Sequence, residues 1–136
     1  MLYGKEHVRR YRETDGEVGY MWRKGVPTLI LTTTGRRSGK PHSTPLILGQ
    51  DGAAYVVVAS KGGAARHPAW YLNLVDHPEV DVQVKADRFR ARARSAEGEE
   101  RARLWKLMAG VWPAYATYQK RTARQIPVVV LERLDT

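Results

Sequence analysis

Residues 126–131, IPVVVL, carry no charge and no hydroxyl. An alternating strand can leave one face in water. A run that is apolar at nearly every position cannot, so it reads as a central strand covered on both faces. The fold must therefore supply neighbouring strands on both edges and packed layers above and below. Five further extended runs are available. Residues 28–33 are rich in Leu, Ile and Thr, and residues 43–48 face them across a basic turn. Gln50-Asp51-Gly52 is a hairpin signal leading into residues 54–59, AYVVVA, so these three runs read as an antiparallel meander. Val80, Val82 and Val84 alternate with Asp81 and Gln83, and residues 88–94 return after a turn at 85–87.

The helical signals are few. Pro68 suits a first helical turn, and the helix that follows presents Trp70, Leu74 and Val75 before ending ahead of His77-Pro78. Glu97, Glu99 and Glu100 suit the start of another, whose stripe is Leu104, Leu107, Met108 and Val111. Pro113 breaks it, and a second helical piece runs to about Arg124. About six antiparallel strands with outlying helices predict a mainly β (α+β) fold, a small closed or split β-barrel with the helices packed outside.

A chain of 136 residues is one domain by length. Residues 27–136 form the barrel in this reading. Residues 1–26 are a leading segment, with a possible short helix through Arg12 that places Val8 and Tyr11 together. Gly16 and Gly19 interrupt it, and Tyr20, Met21 and Trp22 then pack on the core, line a pocket or touch a membrane. No run approaches the length of a membrane span, and no signal peptide precedes the first charges. The expectation is a cytoplasmic protein, with peripheral membrane contact left open. The formal net charge of +9 calls for an anionic partner.

The absence of cysteine excludes disulfides, thiolate metal sites and thiol catalysis. The histidines at 7, 42, 67 and 77 show no metal spacing, so no metal is expected. HExxH, GxSxG and GxGxxG are all missing.

Four features remain. The turn in residues 31–45, LTTTGRRSGKPHSTP, holds Arg36, Arg37, Lys40 and His42 between and beside Gly35 and Gly39. Glycines allow positive φ and bare backbone N–H groups, so the turn is either an anion cradle or a solvated basic tip. It is no Walker loop, since three residues separate the glycines and Pro41 follows Lys40. Ala59-Ser60-Lys61-Gly62-Gly63 leaves a buried strand with a hydroxyl, an ammonium and freely oriented amides. It is an ordinary exit loop or a grip on a heterocycle or phosphate. His67-Pro68-Ala69-Trp70-Tyr71 puts an aromatic pair at a helix start. Trp112, Tyr115 and Tyr118 share one helical face, as core or as the mouth of a ligand site where a phenol can donate a proton. A fifth pattern, Arg88, Arg90, Arg92 and Arg94 on one strand face, reads as the solvated face of an edge strand or as a nucleic-acid grip.

Together these blocks say more. TTTGRRSGKPHSTPL, VVVASKGGAARHPAWYLNLVDHPEV and WPAYATYQKRTARQIPVVVLER, in that order, resemble the deazaflavin-dependent nitroreductase family over roughly residues 27–134. The resemblance implies a split β-barrel that uses coenzyme F420, an 8-hydroxy-5-deazaflavin with a phosphate and a polyglutamate tail. It implies that Arg36, Arg37 and His42, with Lys40 nearby, hold the phosphate and carboxylates. Ser60, Lys61, Gly62 and Gly63 would approach the ring and its phosphate linkage, Ala59 would lie against the ring, and Trp70 would shape the pocket. Trp112, Tyr115 and Tyr118, with Trp22, would line the substrate side. Hydride transfer to a quinone, a nitroaromatic or nitroimidazole, or a conjugated enone follows, with Tyr115, Tyr118, Ser60 or water giving the proton.

Two positions depart from the family pattern. His42 stands where arginine is frequent, which implies a weaker or pH-dependent hold on the tail, and Trp112 replaces a familiar tyrosine. Other readings of the same chain are a deazaflavin-binding protein without turnover, a basic nucleic-acid-binding barrel, and a flavin mononucleotide (FMN) oxidoreductase on the same barrel. No nucleic acid partner is expected in the reading adopted, and monomer and homodimer both stand.

Overall fold

The structure, a computed structural model, describes residues 2–134. Its elements in chain order are α1 (Gly4–Glu13), β1 (Met21–Arg23), β2 (Val26–Thr34), β3 (Pro41–Ile47), β4 (Gly49–Asp51), β5 (Ala54–Val58), α2 (Ala69–Asp76), β6 (Glu79–Val84), β7 (Asp87–Ser95), α3 (Gly98–Val111), α4 (Ala114–Lys120) and β8 (Val128–Arg133). A single 3-10 turn, Lys61–Gly63, lies between β5 and α2. The strands run in the order β1-β2-β6-β7-β8-β5-β4, with β3 paired to β2 off that path, and every pairing is antiparallel. The sheet curls into a half-barrel with four helices outside it, as the split-barrel reading expects.

The closing strand is central, between β7 and β5. Val129 and Leu131 enter the barrel core with Leu29, Leu31, Val57 and Val82. Val128 and Val130 enter a second core under α3 and α4, with Leu104, Met108 and Ile126. Each fully buried aliphatic side chain contributes about 1.5–3 kcal/mol, so this doubly covered strand anchors both layers. Pro127 has no N–H to donate, and the strand begins one residue later. Its carbonyl accepts from Ala59 N–H at 3.0 Å.

A smaller third core joins α1 to the outer face of β2 through Val8, Tyr11 and Ile30. The Tyr11 hydroxyl donates to Thr28 O at 3.0 Å and accepts from Lys85 N–H at 2.8 Å. The leading segment is thereby fixed to the barrel. Its aromatic residues divide: Tyr20 packs on the core, Trp22 is half-buried and Met21 is exposed.

Several expectations are corrected. Eight strands are present among the described residues, because β1 and β4 lack a legible pattern at three residues each. The meander is interrupted: β3 ends before Leu48, and β5 pairs with β4 and β8 rather than with β3. β7 is an inner strand, not an edge. Its arginine row is exposed, and carboxylates face three of the four: Asp15 for Arg88, Glu79 and Asp81 for Arg90, Glu100 and Glu132 for Arg94. On the helices, Leu74, Leu104 and Met108 are buried while Val75 and Leu107 are exposed. The second helical piece stops at Lys120 instead of Arg124. There the Gln119 amide turns the chain, donating to Arg124 O at 2.7 Å and accepting from Ile126 N–H at 2.9 Å. Among the described residues no helix is long and apolar enough to cross a membrane.

Candidate functional site

The interruption at Leu48 leaves the barrel split. Among the described residues β3 has a sheet partner on one edge only, and across the gap lie the end of β5 and the 3-10 turn. A cavity of about 430 Å³ fills this gap. One side is four consecutive β3 residues, Thr44 to Ile47, and the other is Val58, Ser60, Lys61 and Gly62. Consecutive strand residues line one cavity only when the strand's edge, not one face, turns towards it. The far wall is Trp112, Tyr115 and Tyr118, and the leading segment closes the top with Leu2, Tyr3, His7 and Trp22.

A second cavity, about 520 Å³, adjoins the first through Thr44 and Trp70, which line both. Its walls carry Arg36, Arg37 and His42. The two differ in chemistry: one is aromatic and largely apolar, the other basic. The β2–β3 turn that forms the basic cavity is closed by Gly35 N–H to Lys40 O at 2.8 Å and Gly39 N–H to Gly35 O at 2.9 Å. Gly39 has the positive φ of +71°. Gly35 does not, and its need is space: a Cβ there would lie 2.6 Å from Ser38 Oγ and 2.8 Å from His42 Nε2. Arg36 is fixed from α2, where Asn73 Oδ1 accepts from its backbone N–H at 3.2 Å and its guanidinium at 3.0 Å. Asn73 in turn donates to Thr33 Oγ1 at 3.2 Å in the barrel interior.

The 3-10 turn is left-handed. Lys61, Gly62 and Gly63 have φ of +46°, +63° and +82° in succession. For lysine that conformation costs about 1–2 kcal/mol. Successive left-handed residues aim their N–H groups together, the geometry that binds anions or carbonyl oxygens. Gly63 N–H is used internally, on Ser60 O at 2.9 Å. Arg124 secures the turn from the chain after α4: its guanidinium donates to Ser60 O at 2.6 Å, Ala64 O at 2.8 Å and Ala59 O at 3.2 Å. It also meets His67 Nδ1 at 3.1 Å. Burial, then the Arg124 charge, hold His67 below the ordinary histidine range, so the ring is a neutral acceptor.

Burial, and then Tyr118, push the Tyr115 phenol well above its ordinary range. At neutral pH it keeps its proton and acts as a donor, not a base. The Tyr118 hydroxyl accepts from Trp112 Nε1 at 3.4 Å. Trp22 and Trp112 meet at 5.6 Å between ring centroids, with the Arg23 guanidinium 4.5 Å from the first and 5.4 Å from the second.

Most of the residues singled out in the sequence thus converge. Ser60, Lys61, Gly62, Trp70, Trp22, Trp112, Tyr115 and Tyr118 line the first cavity, and Arg36, Arg37 and His42, again with Trp70, the second. Lys40, Ala59 and Gly63 line neither. Ala59 is fully buried, and Gly63 packs so tightly on α4 that a Cβ would lie 2.6 Å from Tyr118 O. Sequence reasoning missed Arg124, Asn73 and His7. Asn73 had a signal, as a polar residue beside Trp70 and Leu74 on the packed face of its helix. His7 is buried at the cavity wall, with Nε2 donating to Gly19 O at 2.8 Å. Arg124 had no signal at all. Among the described residues no cluster of three or more His, Asp or Glu is poised to hold a metal ion.

Comparison with known proteins agrees with this architecture. The model of a family described as F420H(2)-dependent quinone reductase matches residues 3–133. An F420H(2)-dependent quinone reductase of Mycobacterium tuberculosis (strain ATCC 25618 / H37Rv) is 42% identical over 130 residues, 93% of this chain and 87% of that protein. A solved F420-H2 dependent reductase, FDR-A, superposes with a TM-score of 0.73 at 44% identity, covering 78% of this chain and 94% of that one. Another, described as a domain-swapped dimer, gives 0.76 at 40% identity, covering 92% and 96%. The chain belongs to the F420H(2)-dependent quinone reductase family. It is an F420-dependent oxidoreductase, as the motif blocks implied, and its cofactor is coenzyme F420.

Proposed function

We propose that this member of the F420H(2)-dependent quinone reductase family reduces a flat, electron-poor acceptor in the aromatic cavity. Quinones lead, and nitroaromatics and conjugated enones are further members of the same class. The observation that carries this reading is the junction of an aromatic cavity with a basic one through Thr44 and Trp70. A flat ring bearing an anionic tail needs those two environments side by side, and each cavity lies within the roughly 300–1,000 Å³ of small-ligand sites. The fit extends to the backbone: Gly35 leaves room where a Cβ would strike His42, and the left-handed turn offers amide donors.

When bound, reduced deazaflavin supplies the hydride. The chain's own residues bind, orient and shield. Arg36 and Arg37 hold the anionic groups with His42 beside them, and Asn73 sets the direction of Arg36. Ser60 and the amides of Lys61 and Gly62 meet the ring from the β5 side. Trp22, Trp112 and the leading segment exclude water over the acceptor. Tyr115, protonated at neutral pH, donates a proton or a hydrogen bond to the acceptor oxygen, with Tyr118 beside it.

The test is a fluorescence titration of the protein with F420, alongside the Arg36→Ala/Arg37→Ala double variant. Oxidation of reduced F420 by a soluble naphthoquinone is then followed with each. Micromolar or tighter binding that weakens at least tenfold in the variant, with quinone-dependent turnover, supports the reading. Binding without turnover for any acceptor class would leave a deazaflavin carrier. Binding of FMN in place of F420 would overturn the proposal.

A further inference from the structure

His7, on α1, is 2% exposed and lines the aromatic cavity. Its ring is held in one orientation. Nε2 lies 2.8 Å from Gly19 O, which also accepts from Thr28 Oγ1 at 2.7 Å. Gly19 fits against that edge of the ring because it lacks a Cβ, which would lie 2.9 Å from His7 Cδ2. Val8 and Tyr11 pack with Ile30 and fix the helix that carries the ring. In a neutral imidazole one nitrogen donates and the other accepts. A carbonyl only accepts, so the proton is on Nε2 and Nδ1 carries the lone pair. Among the described residues Nδ1 has no partner. Among them, too, Arg101 Nε is the one side-chain nitrogen or oxygen both unpaired and sealed off, so Nδ1 opens onto space. In a ring this buried, that space is the cavity.

We propose that His7 makes the site selective for acceptors that carry a hydroxyl. A quinone ring offers only acceptor oxygens, and Tyr115, which keeps its proton, matches one of them. Nδ1 has the opposite need, a donor. A ligand without one strips water from Nδ1 and returns nothing, and a site built around a hydrogen-bonding group discriminates against the analogue that lacks its partner. An O–H on a short side arm of the ring supplies the donor. The contact is a hydrogen bond, and the hydroxyl keeps its proton. His7 is thus a specificity-determining residue of the acceptor side. This deepens, and rests on, the reading of the aromatic cavity as the acceptor site.

The test compares two naphthoquinones that differ by one oxygen, 2-methyl-1,4-naphthoquinone and 2-hydroxymethyl-1,4-naphthoquinone, as acceptors in the oxidation of reduced F420 by the intact protein. Wild-type kcat/KM is expected to favour the hydroxymethyl compound by about tenfold, the worth of one hydrogen bond. His7→Phe keeps a flat ring without either nitrogen, and the preference should be lost in it. A merely structural role would change both quinones alike. A second measurement reads the nitrogen itself. The protein has four histidines, at 7, 42, 67 and 77, so 15N-histidine labelling gives a short set of ring signals. His7 is assigned as the pair lost in His7→Gln, which retains a donor for Gly19 O. With F420 bound in its oxidised form nothing turns over. The Nδ1 signal should then move upfield with the hydroxymethyl compound and stay in place with the methyl compound. If wild type reduces both with the same kcat/KM, or Nδ1 stays put while the hydroxymethyl compound saturates the site, the His7 proposal is wrong and the acceptor reading survives. If neither quinone is reduced, both fall. The labelled wild-type measurement decides the matter even if His7→Phe fails to fold.

Discussion

Replacing Arg124 with alanine tests whether the left-handed turn at the cavity wall is held from outside. The guanidinium makes three donations to carbonyls of residues 59–64 and a fourth contact to His67. A hydrogen bond from a charged donor contributes about 1.5–3 kcal/mol. The full sum is not expected, because the turn lies at the surface and water recovers part of the loss. We expect about 2–4 kcal/mol of destabilisation by denaturant unfolding, from removal of a linked hydrogen-bond set. The left-handed Lys61 is strained by about 1–2 kcal/mol, so without Arg124 the turn relaxes and its amides lose their aim. F420 affinity should then fall by about 10–100-fold, or roughly 1.4–2.7 kcal/mol. Arg124→Lys keeps the charge but not the planar fork and should be nearly as impaired. An alanine variant with wild-type midpoint and wild-type F420 affinity would refute the reasoning.

Tyr11→Phe leaves Lys85 N–H unpaired beneath α1 and should cost about 1–3 kcal/mol in chemical denaturation. The phenol is pushed up to about 12 by burial, so its protonated form stabilises the fold below pH 10. That contribution is lost as pH rises towards 12, which a pH series of melting curves on wild type and variant will resolve. Gly35→Ala meets only side-chain atoms of Ser38 and His42, which can swing aside. Stability should stay within about 0.5 kcal/mol while F420 affinity drops severalfold, read by parallel melts and titrations. His67 is held low, so its neutral form stabilises the fold. This stability is complete above pH 6.5 and lost as pH falls through the folded-state value. Acidification should therefore weaken F420 binding more in wild type than in His67→Gln.

The sequence revealed what depends on periodicity. Residues 126–131 announced a doubly buried strand because each face is continuous and apolar, and β8 sits at the junction of two cores. Alternation in residues 88–94 gave the right faces for β7 but the wrong neighbours, since pattern reports which side is wet and not which strand lies alongside. β1 and β4 were invisible because three residues do not establish a period. Within the site, glycines and aromatics at short spacing were legible. Arg124 was not: its partners are carbonyls of residues 59–64, which leave no imprint on a sequence pattern. The Leu48 break was equally silent, yet it separates β3 from β5 and so makes the cavity.

That separation has a cause in the chain. Closing β3 onto β5 would complete the barrel, but the register with β2 turns Pro41, Ser43, Pro45 and Ile47 towards the gap, and the two prolines remove two of those four donors, leaving carbonyls across the gap unpaired. Gly49 adds a second constraint, because a Cβ there would overlap Met108 Sδ, and α3 sits against β4 as a result. β4 leads into the hairpin that brings β5 to its pairing with β8. An open strand edge of this kind invites pairing with another chain. Here the prolines lower that risk, and Leu2, Tyr3, His7 and Trp22 cover the mouth. The same features that keep the edge from zipping closed, and from recruiting a foreign strand, leave it lining an aromatic cavity. Substituting Pro45 with alanine should therefore act on two properties at once, restoring a donor to the edge and loosening the block on strand pairing. Weaker F420 binding together with a greater tendency to self-associate, measured by titration and by light scattering, is the combination this account requires. A variant that binds F420 as tightly as wild type, or self-associates no more than it, would refute this account.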